Sequence, residues 1–282
     1  MERLKNNLKI GIRKVPYVNY IFDKYYARET TCMVVSYPKS GRTWLRVMIA
    51  QVLAAQSGKA DIDSIEPNRV IKDNNLSGVW FGFTHDGEGN NAEKVEAYET
   101  LNTAPLYSNK AVVFLVRDPR DVLVSRYFHQ VNREKNFEGS ISEFIRHPLW
   151  GTTRLLDFYA RWSTYQSQFD RFHLVRYEDL HADTVGELEN IFSFIDYPVP
   201  PSAISQAVEF AQIENLRKLS ANNLTKVHRL APADKDNPES YKIRKGKVGG
   251  YVDYLNDDDI AYINLEMTRR AGTIFGYEAT NG

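Results

Sequence analysis

One cysteine in 282 residues, Cys32, leaves no partner for an internal disulfide and too few thiols for a cysteine-built metal cage. Its neighbours, Thr31-Cys32-Met33-Val34-Val35, read as a core strand, so it is expected to be a buried, silent thiol. No apolar run approaches the roughly 20 residues of a membrane span. An excess of one charge is missing as well: 36 Lys+Arg stand against 36 Asp+Glu, so no global field draws the chain to nucleic acid or to a membrane surface. Any anion site must therefore be a local cluster. Repeats, low-complexity tracts and linkers are absent, and a single domain over residues 1–282 is expected. The first 30 residues are basic but lack a continuous apolar core and a small-residue cleavage site. They read as a helical lead-in packed on the body, and a cytoplasmic location follows as the expectation.

What the chain does have is concentrated at 34–44, VVSYPKSGRTW. A β-branched run stops at a Pro-Lys-Ser-Gly-Arg loop and resumes as the helix-like TWLRVMIAQVLAAQ. Backbone N–H groups converge in such a loop, and the helix that follows presents unpaired donors and the positive end of its dipole. Gly41 can take backbone angles that a Cβ would obstruct, and Lys39 adds a full charge at the mouth. The element handles a phosphate or a related anion.

Further apolar runs at Thr31–Ser36, Val79–Thr84, Ala111–Arg117 and Phe172–Tyr177 read as buried parallel strands. Helices are expected at Thr43–Gln56, Pro119–Arg133, Ser142–Arg146, Thr153–Gln168, Thr184–Ile195 and Asp257–Ala271. Strand–helix alternation predicts an α/β fold with helices on both faces of a parallel sheet. The polar stretch 220–243, continuing to 250, is expected to be a mobile loop or lid.

Two more basic clusters stand out. In VVFLVRDPRDVLVSRYFH (112–129), Asp118, Pro119 and Asp121 suit helix capping, whereas Arg117 closes a strand at the edge where α/β ligands bind. RKGKVGGY (244–251) sets three cations among three glycines. The first loop departs from a Walker A element, since the leading Gly is absent and the end reads Gly41-Arg42-Thr43. No convincing acidic strand end for Mg²⁺ is found, although Tyr177-Glu178-Asp179 could serve. A small-molecule kinase and a non-catalytic nucleotide-binding protein remain as alternatives, but an anion site built from cations without a metal suits a sulfuryl donor.

At this point the residues resemble a known family. YPKSGRTW at 37–44 resembles the 5′-phosphosulfate loop of the sulfotransferases. Arg117, with Ser125 eight residues on, is similar to their 3′-phosphate motif; RKGKVGGY is similar to their late RKGxxGDW element, and VRYEDL (175–180) to their YEDL. The resemblance covers roughly residues 31–255 in matching order. It implies a P-loop-like α/β/α fold and, as co-substrate, 3′-phosphoadenosine 5′-phosphosulfate (PAPS), with no metal required. By the same resemblance Lys39 contacts the bridging oxygen, Ser40, Gly41, Arg42 and Thr43 line the loop, and Trp44 and Tyr177 lie at the adenine. Arg117, Ser125, Arg244, Lys245 and Gly246 hold the 3′-phosphate. Two positions depart from the family pattern: Arg42 stands for the usual Thr, and Tyr251 follows Gly250 where Asp-Trp is common.

An acceptor hydroxyl or amine must lose a proton as it attacks sulfur, so a general base is needed. His85, in GFTHDG, closes the second strand in chain order and is the candidate, with Asp86 as orienting group or alternative base. His129 is a rival better suited to packing or the acceptor pocket; His147, His173, His181 and His228 have no supporting context. Trp80, Phe81, Phe83, Tyr127, Phe128 and Trp150 could face a small-molecule, glycan or lipid acceptor. A homodimer is compatible with the resemblance.

Overall fold

The structure, a computed structural model, describes residues 29–59, 64–88, 104–212, 214–217, 233–234, 237–241, 244–270 and 272–278. The expected lead-in up to residue 28, most of the 220–243 loop and His228 lie outside the described residues. Four strands, β1 (Cys32–Ser36), β2 (Phe81–Thr84), β3 (Ala111–Val116) and β4 (Phe172–Arg176), form one parallel sheet in the order β2-β1-β3-β4. The register pairs Cys32 with both Phe81 and Ala111, and Val112 with Phe172. From β1 the chain pairs first to one side and then to the other. A crevice therefore opens at the carboxyl ends of β1 and β3, where open α/β sheets bind ligands.

The two-residue strand period divides the core. Cys32, Val34, Val113 and Leu115 face one layer, built from α1 (Arg42–Gln56), α2 (Pro67–Asp73) and three helices placed later in the chain. Met33, Val35, Val112, Phe114 and Val116 face the other, where α3 (Pro119–His129), α4 (Ile141–Arg146) and α5 (Thr152–Tyr165) pack. The later helices of the first layer are α6 (Tyr177–Ala182), α7 (Thr184–Phe194) and α8 (Pro201–Phe210), and α9 (Asp257–Arg269) completes the second. The expected α/β/α layering is thus observed. Cys32 is fully buried, and desolvation pushes its thiol up to about 12, which makes it the silent core residue expected.

Three expectations need correction. Tyr177 opens α6 instead of ending a strand, because Glu178 and Asp179 favour a helix first turn. The helix expected over Pro119–Arg133 is α-helical only to His129 and continues as a π turn, Gln130–Glu134, whose C-cap Lys135 is left-handed. Helices α2 and α8 were not expected; both start at Pro in the first turn, a signal present in the sequence.

Phe114 is the centre of the second layer, with the rings of Phe158, Trp162, Phe172 and Phe275 at 5.9, 5.1, 5.8 and 5.0 Å. Phe114→Ala should lower unfolding free energy by about 3–5 kcal/mol in urea titration. A loss below about 1 kcal/mol would contradict this account of the core.

Candidate functional site

The loop after β1 is shaped by two left-handed residues. Lys39 has φ 77° and Gly41, the N-cap of α1, has φ 99°. Alternation of this kind turns successive N–H groups to one side, giving an anion nest at the start of α1. Gly41 is obligatory on two counts: its φ, and the Tyr177 ring, whose Cδ2 would lie 2.5 Å from an added Cβ. Ser40 is buried, and Lys39, Gly41, Arg42, Thr43 and Trp44 line a cavity of about 800 Å³ above the carboxyl ends of the strands. Trp44 is held by its Nε1, which donates to the Ala211 carbonyl at 2.9 Å, and it packs edge-on to Tyr177 at 5.7 Å.

Arg117 emerges from β3 on the opposite wall. Its backbone is pinned by Tyr159, whose hydroxyl accepts from Arg117 N at 2.9 Å and donates to Arg117 O at 2.8 Å. The guanidinium lies over the Tyr177 ring at 4.3 Å; Nη2 donates to Asp121 Oδ2 (3.3 Å) and to the Lys247 carbonyl (2.9 Å), while Nε is buried without a partner. Ser125, two turns into α3, lines the same cavity, as do Arg244, Lys245 and Gly246. The basic segment 244–251 therefore sits on the site. Gly249 N and Tyr251 N donate to the two Asp121 oxygens at 2.9 and 3.0 Å, and the Tyr177 hydroxyl donates to the Gly246 carbonyl at 3.3 Å. Arg244 Nη1 donates to Glu239 Oε2 at 2.9 Å, and the Lys245 ammonium rests over the Tyr254 ring at 4.7 Å.

His85 closes the third wall. Its Nδ1 lies 2.7 Å from the Ser36 carbonyl. A carbonyl only accepts, so Nδ1 carries the proton and Nε2 keeps the lone pair. Burial and the nearby charges of Arg42, Arg126 and Arg46 hold this imidazole well below the ordinary histidine range, against the opposing Ser36 bond. Asp86 takes a different part from the one open to it in the sequence. Its carboxylate accepts from Trp162 Nε1 at 2.9 Å and lies 3.9 Å from Arg161, turned into the α5 layer, so it anchors the turn and is not placed as a base.

Every sequence-derived site residue thus falls on one cavity except Ser40, which lies under the loop, and Asp86, which turns away from it. Of the candidate acceptor aromatics only Phe81 and Phe83 line it. Trp80 borders a separate groove, Trp150 is buried against Arg126, Phe128 lies beneath Arg244, and Tyr127 donates to the Gly139 carbonyl. His129 does line the cavity, with Nε2 3.3 Å from Glu134 Oε1. His181 stands against Trp44 and Tyr177, a context invisible in the sequence. Also missed were Arg46, Asp121 and Lys247. Arg46 is four residues from Arg42 on α1, the spacing that shares a helix face, and Asp121 is four residues from Arg117, which precedes α3.

This combination of an anion nest, an arginine at the next strand end and a basic segment closing over both can be set beside known proteins. The profile described as "Sulfotransferase domain" matches residues 29–272. The chain belongs to the sulfotransferase domain family. Cytosolic sulfotransferase 17 of Arabidopsis thaliana is 26% identical over 266 residues, covering 87% of this chain and 75% of that protein. Sulfotransferase 2A1 of Homo sapiens is 24% identical over 253 residues, covering 83% and 81%. Among solved structures, a mouse sulfotransferase complexed with PAP superposes with TM-score 0.57 at 18% identity, covering 87% of this chain and 84% of that one. A retinol dehydratase in complex with androsterone and PAP superposes with TM-score 0.61 at 17% identity, covering 92% and 87%. These likenesses establish the sulfotransferase fold. Among the described residues no helix is long and apolar enough to cross a membrane.

Asp121 generates a test of the cavity's closure. Asp121→Ala removes the acceptor for two backbone N–H groups and leaves Arg117 buried without its carboxylate, which should cost about 3–5 kcal/mol of stability. Tryptic cleavage at Lys245 and Lys247 should accelerate at least about tenfold under native conditions. Unchanged cleavage would mean that Asp121 does not hold the segment.

Proposed function

We propose that this sulfotransferase-family chain transfers a sulfuryl group from PAPS to a hydroxyl or amine of an acceptor. The observation that carries the reading is that the Lys39–Gly41 nest, the Arg117/Ser125 pair and the 244–247 segment share one cavity. The residues fit a doubly anionic nucleotide: an unsatisfied Arg117 Nε at one end, the nest at the other, and Trp44 and Tyr177 between them as aromatic surface. On this reading Lys39 and the nest stabilise charge on the leaving phosphate oxygen, and Arg117, Ser125, Arg244, Lys245 and the Gly246 backbone hold the 3′-phosphate. Thr43 and Arg42 line the loop. PAPS supplies the electrophilic sulfur. The acceptor oxygen or nitrogen forms its bond to sulfur as the sulfur–phosphate oxygen bond breaks, and the acceptor proton passes to Nε2 of His85. The segment over Arg117 excludes water, which limits hydrolysis of the donor.

Calorimetry with 3′-phosphoadenosine 5′-phosphate (PAP) in EDTA, against ATP with Mg²⁺, tests the reading directly. PAP should bind and ATP should not, and Arg117→Ala should weaken PAP at least about tenfold. ATP binding with no gain from a 3′-phosphate would promote a kinase; PAP binding without turnover on any acceptor would favour a non-catalytic member of the fold. Lys39→Ala and His85→Ala should instead lower kcat by about 10²–10⁴.

The pH profile has a defined sign. Because His85 is held neutral well below pH 6.5, its lone pair survives acidification past the point where an ordinary histidine would protonate. The acid limb of kcat should stay flat through pH 6.5 and fall only below it. A half-maximal rate at or above pH 6.5 would assign the base elsewhere.

A further inference from the structure

An N-cap residue leaves its own backbone N–H outside the helix it starts, and an acid at the third helical position commonly reaches back to accept it. Helix α4 does this within itself: Ser140 N donates to Glu143 Oε2 at 2.7 Å. In α3 the N-cap is Asp118 and the third helical residue is Asp121. Asp121 does not turn back. Its oxygens take Arg117 Nη2 at 3.3 Å, Gly249 N at 2.9 Å and Tyr251 N at 3.0 Å. The N–H of Asp118 goes instead to a distant carboxylate, Glu178 Oε1 on α6, at 2.9 Å.

Glu178 is held in turn by Tyr277, which is 6% exposed and whose hydroxyl donates to Oε2. The Arg176 guanidinium covers the Tyr277 ring at 4.3 Å. One peptide group, Arg117–Asp118, is therefore fixed at both ends from opposite layers. Its C=O accepts from the Tyr159 hydroxyl on α5 at 2.8 Å, and its N–H donates to Glu178. The plane of that peptide sets the direction in which Arg117 leaves the strand end. Tyr177, the residue before Glu178, lies against the same guanidinium at 4.3 Å. Glu178 itself does not line the cavity, so it acts on a ligand only through these neighbours.

We propose that Glu178 is a positioning residue for recognition of the 3′-phosphate: it fixes the peptide that aims Arg117 and leaves Asp121 free to hold the 244–251 segment, so that the site selects a 3′-phosphorylated donor over adenosine 5′-phosphosulfate. This rests on the sulfotransferase reading of the same cavity. Selectivity of this kind comes from groups already oriented before the ligand arrives, because bidentate guanidinium contacts tolerate little misplacement. Without Glu178 the N–H of Asp118 loses its acceptor, and the acid closest in sequence on the same helix is Asp121. Each Asp121 oxygen turned to Asp118 is one taken from Gly249 or Tyr251, so the arginine and the segment over it loosen together. The nest at Lys39–Gly41 lies on the other wall and keeps its geometry.

The experiment measures the Kd of PAP and of adenosine 5′-phosphate on the full chain by calorimetry, their ratio being the preference for a 3′-phosphate. Glu178→Ala should cut that ratio at least about tenfold while the Kd of adenosine 5′-phosphate stays within about threefold. Glu178→Gln, whose amide oxygen can still accept from Asp118 N, should keep the ratio within about threefold of the unaltered protein. A merely structural role would weaken both nucleotides alike, or lower Tm with the ratio intact; either result in Glu178→Ala overturns the proposal. Should Glu178→Ala fail to fold, Tyr277→Phe decides: it removes the hydroxyl that anchors the carboxylate and should lower the ratio about two- to threefold, and an unchanged ratio overturns the proposal. A preference for PAP that survives in these variants sinks this inference alone, whereas no preference in the unaltered protein sinks the donor reading and this inference with it.

Discussion

The closed cavity depends on one buried carboxylate. Asp121 is 3% exposed and receives Arg117, Gly249 N and Tyr251 N at once, so strand β3, helix α3 and the 244–251 segment meet on its two oxygens. Charge-assisted hydrogen bonds of this kind contribute about 1.5–3 kcal/mol each, and they lie where water cannot compete. Arg117 is held from a second direction by Tyr159 on its backbone and from a third by the Tyr177 ring, which also presses on Gly41. The loop after β1, the strand end of β3 and the late basic segment are thereby one mechanical unit. An anion arriving at Arg117 finds the guanidinium already oriented, so the ordering entropy of a long side chain is largely spent during folding.

Backbone strain in the loop is sustained by the same packing. Lys39 at φ 77° and Asp86 at φ 49° are non-glycine residues in the left-handed region, costing about 1–3 kcal/mol each. Buried neighbours fix both. Tyr37 and Ser40 flank Lys39 inside the core, and Trp162 and Arg161 take the Asp86 side chain. In the second case the strained turn serves His85, since it sets the ring against the Ser36 carbonyl and so decides which nitrogen carries the proton. Two sheet neighbours, β1 and β2, thus define the tautomer of the candidate base through a single 2.7 Å contact.

Local pattern made much of this legible. Apolar runs ended within two residues of all four strands, and the anion loop was readable because Gly41 and a following helix are chemical requirements that leave a mark in sequence. Long-range partnerships were not legible. Asp121 read as a first-turn charge on α3, which is a sufficient local account; that it receives N–H groups about 130 residues away is decided by the crossover of the sheet. Asp86 looked like a possible base because nothing local reveals that Trp162 points at it. Tyr177 was placed at a strand end because the apolar run continues to it, while α6 takes it for reasons of first-turn charge. Aromatics near motifs were the least informative class: of six weighed for the pocket, two reach it, since core and cavity use the same residue types.

Zero net charge and a strongly cationic cavity are reconciled by where the carboxylates stand. Asp118, Asp121, Glu66 and Glu239 each pair with an arginine from behind or beside it, at 2.6–3.3 Å, fixing its orientation. Screening in physiological salt has a length of about 8 Å, so the compensated field dies quickly outside while remaining strong inside the low-dielectric crevice. On the proposed PAPS reading, the arrangement gives local anion affinity without the non-specific polyanion binding that a basic chain would suffer. It also depresses the basicity of His85, because the same arginines that favour an anion disfavour an imidazolium. On that reading anion capture and a neutral His85 are two consequences of one charge distribution.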